Sequence, residues 1–312
     1  MLSRVADAIF WMSRYMERTK METTLLLTNY VAIQDNAIDN NWKLILDQYG
    51  EKTFMASRHN HFWKSSEALL HLITDKENAN SIGNNIIYAR ENARSIQDNI
   101  TKELWQTLNN FYHIVKNERN EQKIRYEDPV DVMDVIIHQC YLYYGTIDIT
   151  IARGEGYHFM NVGKHLERAT QTIQIVCIKL KEINFDLTDD ANILSFRYLL
   201  YALSGYELFG KTYKGEINCS NIIHHVLFNP IFTHSVIYSL DRVRDNFSDL
   251  KEALTPGAFS EVEFEIGKLI SNFTYSEPDL SDGNRLFIYL EDLKNQINHF
   301  STRFSKIYFG QS

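Results

Sequence analysis

A short charged signature occurs twice in this chain, half a chain apart. Glu17-Arg18 belongs to the first copy and Glu167-Arg168 to the second, so the two copies are separated by 150 residues. The same shift preserves an apolar 3-4-3-4 spacing, which an α-helix turns into a stripe along one face. The stripe consists of Ile9, Met12, Met16, Thr19 and Thr23 in the first copy and of Phe159, Val162, Leu166, Ala169 and Ile173 in the second. Two copies of one helix predict an internal duplication.

Matching segments also lie downstream of each signature. Asn80-Ser81-Ile82 matches His234-Ser235-Val236, and Arg90-Glu91-Asn92 matches Arg244-Asp245-Asn246, both at a shift of 154 residues. An insertion of four residues between the matched blocks reconciles the two shifts, as expected when copies diverge through loops. The repeat is too long for a solenoid. We therefore predict a helical bundle built from two halves, residues 1–150 and 151–312, which are related by pseudo-two-fold symmetry and together form one compact unit.

The distribution of helix-breaking residues predicts an all-α fold. The chain has only four prolines and thirteen glycines, and residues 1–49 contain neither. We expect a first helix from about Ser3 to Asp35. A helical apolar spacing then continues from Ser81 to about Asn117, with Thr101 as a point of interruption. The charged run from Glu118 to Asp128 is expected to form a solvated loop.

Charge and cysteine content exclude several classes of protein. A net charge of −8 without a basic stripe argues against nucleic-acid binding, which needs clustered Lys and Arg. The three cysteines are far apart and odd in number, so neither a disulfide framework nor a zinc knuckle is expected. Free cysteines are typical of a reducing compartment. No segment approaches the roughly 20 apolar residues that cross a bilayer. We expect a cytoplasmic protein without nucleic-acid or membrane partners.

Metal and cofactor motifs are not found. His224-His225 and the pair His158 and His165 lack the i,i+4 spacing of a helical zinc site, and they do not supply the two Glu-x-x-His motifs of a di-iron bundle. Gly154-Glu155-Gly156 lacks the rest of a phosphate-binding loop and a preceding strand. The sequence therefore predicts no metal-ligating and no cofactor-binding residue, and it identifies no catalytic residue.

The candidate functional residues are those of the repeated signature. Neighbouring Glu and Arg side chains diverge by about 100° on a helix, so each needs a partner elsewhere. Glu17 is surrounded by bulky apolar residues and is expected to be dry, whereas Glu167, beside Gly163 and Gln171, is expected to leave room for water. The candidates are Arg14, Glu17 and Arg18 in the first copy and Lys164, Glu167 and Arg168 in the second.

Two roles fit these six residues. They form buried ion pairs between the repeats that determine how the halves dock, which is the usual role of paired charges. Alternatively, the carboxylates and guanidiniums converge on a central cleft, where arginine side chains hold a carboxylate or a phosphate.

Three separated motifs resemble a known family. They are the run from Leu2-Ser3-Arg4 to Trp11-Met12-Ser13-Arg14-Tyr15-Met16-Glu17-Arg18, the stretch Arg90-Glu91-Asn92-Ala93-Arg94 with Glu103-Leu104-Trp105, and Leu166-Glu167-Arg168-Ala169. Together they resemble the Alpha-E family of bacterial helical proteins, named for its Glu-Arg motif, over almost the whole chain. The second copy departs from the family pattern at Asn161 and Lys164-His165.

This resemblance implies a set of partners. Members of the family are typically encoded beside circularly permuted ATP-grasp proteins and transglutaminase-like proteins, an association that implies amide ligation or peptide modification. The expected role is that of an accessory or substrate-binding subunit, with a peptide or small molecule as substrate. One alternative is an enzyme that acts on an anionic peptide or metabolite, with Glu17 or Glu167 as general base. A second alternative is a structural scaffold.

Overall fold

The fold consists of α-helices. The computed structural model describes residues 1–39, 42–52, 62–214, 216–253, 256–276 and 278–310, and these contain fourteen α-helices and no strand. The predicted all-α class is therefore confirmed. In chain order the helices are α1 (Ser3–Gln34), α2 (Lys43–Tyr49), α3 (Ser65–Ile73), α4 (Ile82–Ser95), α5 (Lys102–Val115), α6 (Arg119–Tyr126), α7 (Val130–Thr150), α8 (Glu155–Glu182), α9 (Ile193–Ala202), α10 (Tyr206–Tyr213), α11 (Cys219–Phe228), α12 (Val236–Ser248), α13 (Pro256–Thr274) and α14 (Gly283–Phe309).

The chain divides into two compact units. The larger unit contains Met1–Arg14 and Ala152–Ser312, and the smaller unit contains Tyr15–Ile151. Helix α1 contributes to both, because its first turns cluster with the second half of the chain. The division into repeats at residues 150 and 151 stays a prediction.

The core of the larger unit is built around α8. The apolar stripe that identified this helix in the sequence is buried along its length, and α8 packs against α12 and α14. An aromatic cluster fills the space beside it, with the Phe159 ring centroid 5.2 Å from that of Tyr308 and the Phe10 centroid 5.7 Å from that of Phe304. Complete burial of one such side chain stabilises a fold by about 1.5–3 kcal/mol. The first turns of α1 are therefore held to the larger unit by packing.

The crossing of α1 and α8 in the larger unit is reciprocal. Ser13 Oγ donates a hydrogen bond to the Met160 carbonyl at 2.7 Å. In the alignment of the two copies, Gly163 corresponds to Ser13 and Phe10 corresponds to Met160. Gly163 faces the Phe10 carbonyl, and a Cβ atom on Gly163 would lie 2.6 Å from that oxygen. A pseudo-two-fold axis through the crossing would produce this exchange of positions. The contact thus supports the proposed duplication.

Gly163→Ala tests the crossing. The added methyl group would clash with the Phe10 main chain, which can only move together with the helix. We expect the free energy of unfolding to fall by about 1–3 kcal/mol, the usual effect of overpacking. Gly267→Ala is the matched control, because Gly267 lies within α13 and a methyl group there would meet no neighbouring element of the described chain within 4 Å. The control should raise stability by about 0.5–1 kcal/mol. Urea denaturation of both variants measures the difference, and equal shifts would contradict the close approach.

The smaller unit confirms one sequence-based expectation, the interruption at Thr101, and contradicts another. The pattern from Ser81 to Asn117 forms two helices, because Thr101 Oγ1 accepts a hydrogen bond from the Leu104 amide and so caps α5. The charged run from Glu118 to Asp128, predicted to be a loop, contains α6. Its single buried residue, Ile124, and basic residues in its last turn stabilise a short helix that has little apolar periodicity.

The downstream match in sequence also has a structural counterpart. In the smaller unit, His71 Nδ1 lies 2.7 Å from Asp75 Oδ2, and Ser81 Oγ caps α4. At a shift of 154 residues in the larger unit, His225 Nδ1 lies 3.0 Å from Asn229 Nδ2, and Ser235 caps α12. In each unit, a histidine near the end of one helix therefore contacts the side chain four residues later, a carboxylate in the smaller unit and an amide in the larger one. Both contacts lie at the same turn between helices. This correspondence again supports the duplication.

Candidate functional site

The second signature forms a buried ion pair in the larger unit. Arg14 Nε donates to Glu167 Oε2 at 2.8 Å, and Arg14 Nη1 donates to Ser301 Oγ at 2.8 Å. Gln171 Nε2 donates to the other carboxylate oxygen, Glu167 Oε1, at 2.9 Å. Only 1% of Glu167 is exposed. Both oxygens of this carboxylate are therefore engaged, and the pair joins α1, α8 and α14.

The expectation that Glu167 leaves room for water is wrong. The space beside Gly163 is occupied by the main chain of Phe10, and Gln171 donates to the carboxylate itself. The Arg14 guanidinium lies over the Trp11 ring, with Cζ 4.8 Å from the ring centroid. The small residue one turn before Glu167 admits a second helix, and that helix supplies the cation.

The first signature lies in the smaller unit and is equally buried. Glu17 is 0% exposed, and Tyr144 of α7 donates its hydroxyl proton to Glu17 Oε2 at 2.5 Å. Burial raises the pKa of the neighbouring Cys140 thiol; Lys20 lowers it and Glu17 raises it. These effects place Glu17, Lys20 and Cys140 close together. They also mean that Cys140 is a protonated core residue and lacks the thiolate character of a nucleophile.

The remaining candidates are half-buried. Arg168 Nη1 donates to the Thr233 carbonyl at 3.1 Å, and the Arg18 guanidinium carbon lies 5.7 Å from the Tyr15 ring centroid. Lys164 Nζ donates to Asn161 Oδ1 at 2.7 Å. Two of the three positions at which the second copy departs from the family pattern are therefore in contact with each other.

Sequence reasoning missed the residues that come from distant helices. Tyr144 is 127 positions from Glu17, and Ser301 is 287 positions from Arg14. No local spacing signals such partners. The Glu-Arg signature, by contrast, identified both buried carboxylates, since its flanking apolar stripe places them on central helices.

The second motif of the sequence resemblance, which contains Arg90, has a structural basis. The Arg90 guanidinium carbon lies 4.5 Å from the Tyr112 ring centroid and 5.4 Å from that of Trp105. Arg90 Nε donates to Asn109 Oδ1 at 2.9 Å, and Arg90 Nη1 pairs with Glu91. Cation–π contacts of this kind stabilise by about 0.5–2 kcal/mol. The motif thus joins α4 to α5 within the smaller unit.

The described ranges carry neither a metal-binding cluster nor a membrane-spanning helix. Those residues contain no group of three or more His, Cys, Asp or Glu side chains that could hold a metal ion. In the same part of the chain, no helix combines the length and apolar character needed to span a bilayer.

The geometry favours a structural role for the two carboxylates. A general base must approach the substrate proton to hydrogen-bond distance. Glu17 and Glu167 are both buried and hydrogen-bonded within their own units. The half-buried arginines retain access to solvent and remain candidates for binding.

Comparison with known proteins identifies the family. The sequence profile of Alpha-E, described as a predicted alpha-helical domain with a conserved ER motif, matches residues 1–309. No curated protein and no solved structure matches the chain. The profile covers essentially the whole sequence, and Glu17-Arg18 and Glu167-Arg168 are both Glu-Arg pairs of the kind that the description names. The chain therefore belongs to the Alpha-E family.

Proposed function

We propose that this protein is an accessory or substrate-binding subunit of a bacterial, cytoplasmic system for amide ligation or peptide modification. Its principal partner is an ATP-grasp-type ligase, and a transglutaminase-like protein is a second partner. The observation that carries the proposal is the burial of both signature carboxylates, Glu17 and Glu167, at 0% and 1% exposure. Their role in this proposal is to hold helices in place.

Burial also bears on the enzyme alternative. An enzyme that uses Glu17 or Glu167 as general base would need one carboxylate open to an anionic peptide or metabolite. Glu167 has both oxygens engaged by Arg14 and Gln171. We therefore assign the activation of the substrate carboxylate as an acyl phosphate to the ATP-grasp partner. The proposed cytoplasmic location fits the three cysteines, which are free and buried, because thiols stay reduced in the cytosol.

Because substrate activation is assigned to the ATP-grasp partner, we predict that the isolated protein does not bind Mg-ATP. The sequence contains no glycine-rich loop of the kind that holds the phosphates of a bound nucleotide. Isothermal titration calorimetry should give no saturable heat with Mg-ATP. Micromolar binding would contradict the accessory role.

Reconstitution gives the complementary test. The protein and the ATP-grasp protein encoded beside it would be assayed separately and together against a library of peptides and metabolites, with amide formation followed by mass spectrometry. We expect product only when both proteins are present. Product formation by the isolated protein would favour the enzyme alternative, and full activity of the ligase alone would favour the scaffold.

A further inference from the structure

A cationic cluster lies between α8 and the start of α12 in the larger unit. The His165 and Tyr238 ring centroids are 6.0 Å apart, and the Arg242 guanidinium carbon lies 5.5 Å from the Tyr238 centroid. Arg168 reaches the turn before α12, where it donates to the Thr233 carbonyl at 3.1 Å. The cations and titratable rings of the cluster are Lys164, His165, Arg168, His234 and Arg242.

His165 has a buried nitrogen without a hydrogen-bond partner. The residue is 5% exposed, and its Nδ1 atom makes no hydrogen bond within the described chain. Burial lowers the pKa of His165 well below its usual value, and Lys164, Arg168, Arg242 and His234 lower it further. The ring is therefore neutral at pH 7. A buried polar atom that is left unsatisfied destabilises a fold, so an acceptor that reached Nδ1–H would be favoured.

The arginines of the cluster are open to solvent. The Arg242 side chain is 44% exposed, and Arg168 is half-buried. Arg242 Nη2 also pairs with Asp245 on its own helix at 2.6 Å, which leaves further guanidinium N–H donors for a ligand. An anion can therefore approach the Arg242 side chain from solvent.

The matching positions of the first copy have a different chemistry. Tyr15 aligns with His165, and Tyr88 aligns with Arg242. In the smaller unit these two tyrosine rings contact each other, with centroids 5.3 Å apart. The second copy thus carries positive charge where the first copy carries an aromatic pair. Packing alone does not require that replacement.

We propose that Arg168, Arg242 and His165 form a binding site for the phosphate group of a small molecule. The Arg242 guanidinium supplies N–H donors that match phosphate oxygens, and Arg168 and Lys164 add positive charge nearby. Neutral His165 donates from Nδ1. A phosphate dianion suits three cations and a neutral donor better than a carboxylate, which carries one charge. The site does not depend on the proposed accessory role.

Calorimetric titration of the full chain with inorganic phosphate tests the proposal. Arg242→Gln should weaken phosphate binding about tenfold, since a hydrogen bond to a charged group is lost. The matched control is Arg244→Gln on the same helix, whose arginine pairs with Asp241 at 2.8 Å and with Asp245 at 3.6 Å and is not among the cations that act on His165. This control should change the affinity less than twofold.

His165→Phe gives a second and independent measurement. Phenylalanine keeps an aromatic ring beside Tyr238 and removes the unsatisfied nitrogen, so the variant should fold and yet bind phosphate several-fold more weakly. Acetate at the same concentrations should bind at least tenfold more weakly than phosphate to the unmodified protein. The proposal is overturned if phosphate gives no saturable binding, if Arg242→Gln and Arg244→Gln lose affinity equally, or if acetate binds as well as phosphate.

Discussion

Glu167→Gln is expected to lower the free energy of unfolding by about 3–5 kcal/mol, because it leaves the buried Arg14 guanidinium without its counter-charge. Arg14 is 8% exposed and Glu167 is 1% exposed, so water cannot replace the lost carboxylate oxygen. Urea denaturation monitored by circular dichroism measures the effect in the isolated protein. Glu91→Gln provides a matched control in the smaller unit, since the Glu91 side chain is 41% exposed and pairs with Arg90 and Arg94. Its effect should stay within about 1 kcal/mol.

A double substitution separates the ion pair from the burial of its members. Arg14→Met with Glu167→Leu removes both charges and keeps apolar volume, and it should be less destabilised than Glu167→Gln alone, because no charge is left uncompensated. If the stability of the single variant stays within about 1 kcal/mol of that of the unmodified protein, the pair is not the determinant of stability that its burial indicates.

Glu17→Gln is expected to lower the free energy of unfolding by about 3 kcal/mol or more. Glu17 is 0% exposed, and Lys20, one turn further along α1, is 3% exposed. Loss of the negative charge weakens the hydrogen bond from Tyr144 and removes a counter-charge near this buried cation. Tyr144→Phe keeps the charge and removes only the hydrogen bond, so its effect should be smaller, about 1.5–3 kcal/mol.

Glu17→Gln also distinguishes a structural role of this carboxylate from a catalytic one. If Glu17 serves the fold, Glu17→Gln lowers the melting temperature, and the remaining folded protein still supports product formation in the reconstituted reaction. If Glu17 is a catalytic group, the melting curve stays nearly unchanged and the product disappears. Unchanged stability together with unchanged product formation would remove both roles.

The repeated local pattern made much of the fold predictable. The apolar stripe around Met16 and Leu166 predicted two long helices, and α1 and α8 follow it. The prediction of a loop from Glu118 to Asp128 was wrong because the helix there depends on one buried side chain, Ile124. A single contact leaves no periodic signal in the sequence.

The candidate site was only partly predictable for the same reason. The sequence by itself determined that Glu17 and Glu167 lie beside the apolar faces of helices, since that follows from a spacing of three and four residues. Only the tertiary structure decided their partners: Tyr144 for Glu17, and Arg14 with Gln171 for Glu167. Helical periodicity is local, whereas the burial of a charge is settled by which distant helix fills the space beside it. At Gly163 that space is filled by the α1 main chain, and this close approach brings Arg14 to Glu167.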